Sequence, residues 1–252
     1  MADTLVIVPT YNERAGLEAV VKRINEAVPA ADVLIVDDGS PDGTGELADH
    51  LAAADARIRV LHRTQKDGLG RAYLAGFSLA LDDGYDFIAE IDADGSHDPA
   101  ELAVMVQLAR DGADLVIGSR WVPGGTVRDW PWYRQAISRA GNRYSRIVLR
   151  SQIRDITAGF RVFRADTLRR LDLESVSSQG YCFQVEMAWR TERAGLKVSE
   201  HPITFVERTQ GDSKMHTGIV IEALFRVTGW GIADRFRRGR VPRAPRARTS
   251  RN

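Results

Sequence analysis

Two groups of carboxylates close short apolar runs in this chain: Asp37-Asp38 after Val33-Leu34-Ile35-Val36, and Asp92-Ala93-Asp94 after Phe87-Ile88-Ala89-Glu90-Ile91. Residues i and i+2 of an extended chain point to the same side, so Asp92 and Asp94 can face one ion. Hard oxygen donors of this kind suit Mg2+ or Mn2+ held jointly with substrate phosphates, and not zinc. Ser96 and His97 follow within reach as supporting ligands. The same stretch also reads as a turn, because Asp-Ala-Asp-Gly-Ser is good turn chemistry and Asp98-Pro99 a good helix start. Asp37 to Thr44 is likewise either a loop with Asp42 or Thr44 as an N-cap, or a carboxylate placed to accept hydrogen bonds from a base or ribose. Carboxylate pairs at neighbouring strand ends repel unless a cation or donors sit between them, which favours the functional reading of both.

Cations lie in the other half. Arg120 to Arg170 holds twelve arginines against Asp129, Asp155 and Asp166, an excess that should meet something anionic. Arginine's planar fork suits a phosphate. Most of the twelve fit a solvated helix face equally well. From Arg235 to Asn252 there are eight further arginines and no acid. Removing those eight charges from the net +1 leaves −7 for the remainder. With Pro242, Pro245 and no apolar periodicity, this segment reads as a disordered tail, either solubilising or in contact with anionic lipid or nucleic acid.

The elements that must position these groups alternate. Strands are expected at Thr4–Val8, Val33–Asp37, Ile58–His62, Asp86–Ile91 and Asp114–Gly118, and helices at Ala15–Val28, Thr44–Ala54, Leu69–Asp82 and Pro99–Arg110. Strict alternation gives an α/β fold with a mostly parallel central sheet flanked by helices, whose ligands sit outside the carboxyl ends of the strands. Thr10-Tyr11-Asn12-Glu13, Asp37-Asp38-Gly39-Ser40 and Asp92-Ala93-Asp94 fall at such ends. After Gly118 a loop from Val122 to Pro131 leads to an arginine-rich helix over Trp132–Leu149. An irregular stretch from Ile153 to Tyr181 precedes a helix at Phe183–Arg193 and a strand around Ile203–Val206. Apolar residues from Ile219 to Gly231 mark an amphipathic helix over about 216–236, which packs on the domain or lies in a membrane interface.

Other classes are disfavoured. The 252 residues suit one domain over 1–236 and a tail over 237–252. No apolar run approaches a membrane span and no signal peptide opens the chain, so a cytoplasmic location is expected, peripheral on the inner face of the membrane. Cys182, the single cysteine, excludes an internal disulfide and reads as a buried thiol. There is no Gly-x-x-x-x-Gly-Lys-[Ser/Thr] loop, and no Gly-x-Gly-x-x-Gly after the first strand, which argues against phosphate-loop hydrolases and dinucleotide dehydrogenases. No nucleic-acid recognition module is present, so nucleic acid is not an expected partner.

Val8-Pro9-Thr10-Tyr11-Asn12-Glu13, Val36 to Thr44, Asp92-Ala93-Asp94, Gly118-Ser119-Arg120, and Glu207-Arg208 with Ser213-Lys214 occur in the order seen in family 2 inverting glycosyltransferases of GT-A fold. Within that family the chain most resembles the dolichol-phosphate or polyprenol-phosphate mannose synthases, over roughly Thr4 to Phe236. The resemblance implies that Pro9, Tyr11, Glu13, Val36 and Asp38 hold the guanosine of GDP-mannose and that Asp92 and Ala93 line the donor. It implies that Asp94 with Ser96 ligates Mg2+ or Mn2+, although some relatives carry Gln where Ser96 stands. Arg208 and Lys214 would close on the donor diphosphate, and Arg120, Arg134 and Ser138 would receive the phosphate of a polyprenyl acceptor. Arg134 and Ser138, four apart on a helix, share a face. Many relatives end in transmembrane hairpins that this sequence lacks, so attachment would be peripheral or through a separate membrane-anchoring subunit. A UDP-glucose:polyprenyl-phosphate glucosyltransferase keeps the chemistry and changes the sugar; a non-catalytic membrane-docking subunit keeps only the fold.

Overall fold

The computed structural model describes residues 2–176, 178, 180–207 and 217–238, with the backbone alone for Tyr181, 217–222 and 236–238. The first half alternates as expected: β1 (Thr4–Thr10), α1 (Arg14–Ala27), β2 (Asp32–Asp37), α2 (Thr44–Ala54), β3 (Ile58–His62), α3 (Leu69–Asp82), β4 (Phe87–Glu90), α4 (Ala100–Arg110) and β5 (Leu115–Ser119). Then come β6 (Thr126–Arg128), α5 (Trp132–Leu149), β7 (Arg161–Arg164), α6 (Ala165–Arg170), α7 (Tyr181–Arg193), β8 (Val198–Pro202), β9 (Thr204–Val206) and α8 (Thr217–Arg238).

The main sheet has the order β3-β2-β1-β4-β7-β5-β8. All neighbours are parallel except β7, which runs antiparallel to both β4 and β5. Strands buried on both faces are apolar through their middles, as β1 is over Leu5–Val8 and β2 over Val33–Val36. Leu5, Ile7, Leu34 and Val36 point to one core with Tyr73 and Phe77 of α3 and Phe183 and Met187 of α7. Val6, Val8, Val33 and Ile35 point to the other, with Leu17 and Ile24 of α1 and Leu102 and Met105 of α4. Helix α3 lies so close to β1 that a Cβ on Gly76 would stand 2.8 Å from Cδ1 of Ile7.

Four elements depart from the sequence reading. The stretch from 153 to 181 contains β7 and α6, the loop from 122 to 131 contains β6, and β8 precedes the expected last strand. Arg161 opens β7 fully buried, so the strand carries a charge where periodicity asks for an apolar residue. Strands β6 and β9 form a separate parallel ribbon of three residues each.

Helix α8 packs on the domain through Val227, which is core, and through Trp230, which stacks on Trp189 of α7 at 5.7 Å. Tyr144 of α5 shares a 2.5 Å hydrogen bond with Thr228, and Arg193 pairs with Asp234. The expected tail falls outside the described residues from 239 onward. No helix among the described residues is long and apolar enough to cross a membrane.

Candidate active site

The ends of β1, β2 and β4, three adjacent strands, put the acidic groups at one edge of the sheet. The turn after β1 is held by the turn after β2. The backbone N–H of Asn12 donates to Oγ of Ser40 (3.0 Å), and that of Glu13 to the Thr44 hydroxyl (3.1 Å). Asp37 is consumed by structure: its carboxylate accepts from the hydroxyls of Thr10 and Ser40 and from the Ser40 N–H. The side chain of Asp42 meets the N–H and hydroxyl of Thr44 at the start of α2, where Gly43 occupies the N-cap position in a left-handed conformation. Asp38 is 6% exposed and bonded to Nη1 of Arg63 at 2.6 Å. Burial raises its pKa above the ordinary carboxylate value, and Arg63 opposes that rise. Above Tyr11, Nζ of Lys66 stands 3.8 Å from the ring centroid. Val36 and Ala93 are buried among core residues.

At the end of β4, Asp92 and Asp94 are partly exposed. Oδ1 of Asp94 accepts from the backbone N–H of Ser96 at 3.0 Å, so the structure joins these two residues through Ser96's main chain. His97 is buried between Phe160 and Phe205, with centroids 5.2 and 5.1 Å away, and its Nε2 is 3.7 Å from Oδ2 of Asp92. This location makes His97 a neighbour of the carboxylates within the aromatic packing.

The cations face these acids across β7. Because β7 is antiparallel, its N-terminal end lies beside the C-terminal ends of β4 and β5, bringing the 153–160 loop into the site. Arg120, just past β5, is 7% exposed. Its Nε and Nη2 donate to the two oxygens of Asp155 at 2.8 and 2.7 Å, and its backbone N–H reaches the same carboxylate at 2.9 Å. Asn142 of α5 and Thr157 add to that buried knot. Arg134, in the first turn of α5, pairs with Glu207. The rings of Trp121, Trp130 and Phe205 lie 5.5–5.7 Å from the Arg120 guanidinium carbon, and Trp130 lies 5.2 Å from that of Arg134. Guanidinium groups on aromatic faces are held without losing their charge. Ser138 sits one turn along from Arg134 and is partly exposed. Arg208, Ser213 and Lys214 lie outside the described residues.

Sequence reasoning missed Arg63, Asp155, Trp121 and Trp130. Only Asp155 carried a signal, as one of three acids in the arginine-rich half.

Residues 5–172 match the model of glycosyl transferase family 2. The chain belongs to that family. This family 2 glycosyltransferase is 54% identical over 238 residues to the polyprenol monophosphomannose synthase of Mycolicibacterium smegmatis, covering 94% of this chain and 90% of that protein. It is 56% identical over 232 residues to the undecaprenyl-phosphate mannosyltransferase of Micrococcus luteus, covering 92% and 95%. Among solved structures, glucosyl-3-phosphoglycerate synthase from Mycobacterium tuberculosis, in complex with Mn2+, UDP-glucose and phosphoglyceric acid, superposes with a TM-score of 0.65. That match has 21% identity and covers 90% of this chain and 79% of the other. A mannosyltransferase from Pyrobaculum calidifontis in complex with GDP-Man and Mn2+ gives 0.58 at 20% identity, covering 95% and 66%. These likenesses show the GT-A fold for the family 2 enzyme described here.

Proposed function

We propose that this glycosyltransferase moves mannose from GDP-α-mannose to a polyprenyl phosphate with inversion, giving polyprenyl β-mannosyl phosphate and GDP. The observation that carries the reading is the meeting, at one sheet edge, of the strand-end carboxylates with two arginines set among aromatic rings. Relatives above 50% identity named for this reaction support the choice of sugar and acceptor.

The attack would be a single in-line displacement at the anomeric carbon. A lipid monophosphate is largely ionised near neutral pH, its second pKa being about 6. It needs cations to hold it and no base to deprotonate it, in contrast to a hydroxyl acceptor. Arg134 and Arg120, with Ser138, are the groups for that phosphate. Pro9, Tyr11, Glu13, Val36 and Asp38 would take the guanosine. Asp92 and Ala93 would line the donor, and Arg208 and Lys214 would neutralise the leaving diphosphate.

Asp94 and Ser96 are the residues that would hold Mg2+ or Mn2+. The donor set fits such an ion. Among the described residues no group of three His, Cys, Asp or Glu side chains could bind one by itself. An ion held by few carboxylates completes its shell with diphosphate oxygens and water. Bound there, it supplies charge neutralisation for the departing GDP.

Peripheral membrane contact fits the same reading. Helices α5 and α8 lie side by side and expose Trp132 (79%), Ile147 (63%) and Phe225 (77%), while α5 also carries Arg139, Arg143 and Arg146. Apolar anchors beside arginines suit an anionic membrane surface on which a lipid acceptor resides.

The test is transfer of labelled mannose from GDP-mannose to a short polyprenyl phosphate, with and without Mg2+ or Mn2+, beside UDP-glucose. Metal-dependent mannolipid is the expected product. Glucolipid alone would overturn the donor, and neither product with the full chain on anionic vesicles would overturn the reaction.

A further inference from the structure

Behind the site lies a buried polar cluster that the reaction above does not use. Arg161 of β7 is fully buried. Its guanidinium donates from Nε to the carbonyl of Ala158 (2.8 Å), from Nη2 to that of Ile156 (2.8 Å), and from Nη1 to that of Gln184 in α7 (2.7 Å). Across the strand pair its Cα partner is Glu90, also fully buried, the last residue of β4 and two before Asp92. The Glu90 carboxylate, the Tyr73 hydroxyl and the Gln184 amide, all buried, complete no hydrogen bond of normal geometry among the described residues, but they are close enough to interact: the Gln184 amide favours the Glu90 carboxylate, and the Tyr73 hydroxyl faces Asp92. Burial drives the Glu90 pKa up to about 8 against the pull of Arg161, and drives that of Arg161 down to about 10.

A charge placed in the centre of a sheet is costly unless it is paired and its hydrogen bonds are made. Those of Arg161 all go to main-chain carbonyls that bound the site. Ile156 and Ala158 flank the loop whose Asp155 fixes Arg120. Gly159, next in the chain, lies beside the Asp92 carboxylate: a Cβ there would be in ordinary contact with Oδ2, at 3.5 Å. The carbonyl of Gln184 anchors α7 to the same point.

We propose that Arg161 is a positioning residue for transfer: it ties the loop that carries Asp155, and through it Arg120, to β4 and α7. It thereby sets the separation between the donor carboxylates and the acceptor arginine. This inference rests on the proposed reaction for its kinetic test and on geometry alone for its second test. Arg161 touches neither substrate. It acts on how two bound substrates meet, and hence on kcat more than on the binding of either.

The experiment compares the wild-type chain with Arg161→Lys and Arg161→Met. Read out are the melting temperature, the Kd for GDP-mannose with Mn2+ by calorimetry, the KM for a short polyprenyl phosphate, and kcat. Arg161→Met should lower kcat by about 100-fold, the scale of an ångström misplacement between reacting groups. Donor Kd and acceptor KM should stay within about threefold, and Arg161→Lys, which keeps the charge but loses the fork, should recover part of the loss. A kcat within threefold of wild type in a folded variant overturns the proposal. So does a donor Kd that weakens by the same factor as kcat, or failure of both variants to fold, which would assign Arg161 to the fold alone.

Hydrogen exchange on the same proteins is independent of any donor. Amides of residues 156–160 and of the first turn of α7 should exchange at least about tenfold faster in Arg161→Lys, with β1 and β2 unchanged. If the wild type makes no mannolipid, the proposed reaction fails while this readout still decides the strut; unchanged exchange overturns the strut whatever the reaction.

Discussion

Replacing Asp155 by Asn tests the buried knot that fixes Arg120. Asp155 is fully buried and Arg120 nearly so, and the carboxylate accepts two guanidinium bonds at 2.7–2.8 Å besides the Arg120 N–H and the Asn142 amide. Asn keeps the shape, removes the charge and turns one acceptor into a donor that confronts other donors. Breaking one side of a buried pair costs about 3–5 kcal/mol, because the remaining charge is neither solvated nor compensated. For a chain of this size each kcal/mol shifts Tm by about 2–4 °C, so Asp155→Asn should melt roughly 6–20 °C lower. Arg120→Ala should destabilise by a similar mechanism, leaving Asp155 stranded, so loss of activity in that single variant would not isolate a role in acceptor binding. The double variant Arg120→Met/Asp155→Leu separates the two effects. Removing both charges should restore most of the stability while transfer stays low. Urea and thermal unfolding of the four proteins, with transfer measured below the lowest melting point, decide the matter. A Tm shift under about 2 °C for Asp155→Asn would refute the reasoning, as would normal transfer by the double variant.

Asp94→Asn should leave Tm within about 2 °C, because Asp94 is partly exposed, yet lower metal-dependent transfer by roughly 100-fold; an unchanged metal titration would remove Asp94 from the site. Gly76→Ala should destabilise by about 1–3 kcal/mol, since its Cβ would press into Ile7 within the core, and a variant as stable as wild type in urea would show that β1 and α3 can part at no cost. Replacing both Trp132 and Phe225 by Ser should reduce sedimentation with anionic vesicles at moderate salt while leaving the unfolding midpoint unchanged, as both side chains are more than three-quarters exposed; undiminished binding would move the contact elsewhere.

The first half of the fold was legible because its strands are uninterrupted apolar runs and its helices carry one buried stripe. Ile58–His62, Thr44–Ala54 and Leu69–Asp82 match to the residue, as does Trp132–Leu149 in the second half. The elements that escaped lack those signals. Strand β7 begins with a buried arginine, β8 (Val-Ser-Glu-His-Pro) is an edge strand half-buried along its length, and β6 is three residues inside a Gly/Pro loop. A strand running against its neighbours also cannot be read from alternation, which predicts only parallel crossovers. In the site, the acidic strand ends were visible because they interrupt apolar runs. Their partners were not, since the ion pairs Arg63–Asp38, Arg120–Asp155 and Arg134–Glu207 join residues 25, 35 and 73 positions apart.

Those partners change how the arginine excess works. Counted along the sequence, Arg120 and Arg134 are equal claimants on the acceptor phosphate; in the structure each already holds a carboxylate, and the two pairs differ in what an exchange would require. The Arg120–Asp155 pair is almost wholly shielded, with side chains 8% and 0% exposed, so drawing Arg120 away would strand a buried carboxylate. Arg134 and Glu207 are 25% and 22% exposed, so water reaches that pair and partly solvates a carboxylate left behind. On the proposed reading of the acceptor site, Arg134 is therefore the arginine that exchanges its carboxylate for the phosphate at the smaller cost, while Arg120 stays paired with Asp155. Glu207→Gln, which weakens the carboxylate's hold on Arg134, should accordingly lower the KM for polyprenyl phosphate; a KM that rises would mean that Glu207 presents Arg134 to the acceptor instead of competing for it.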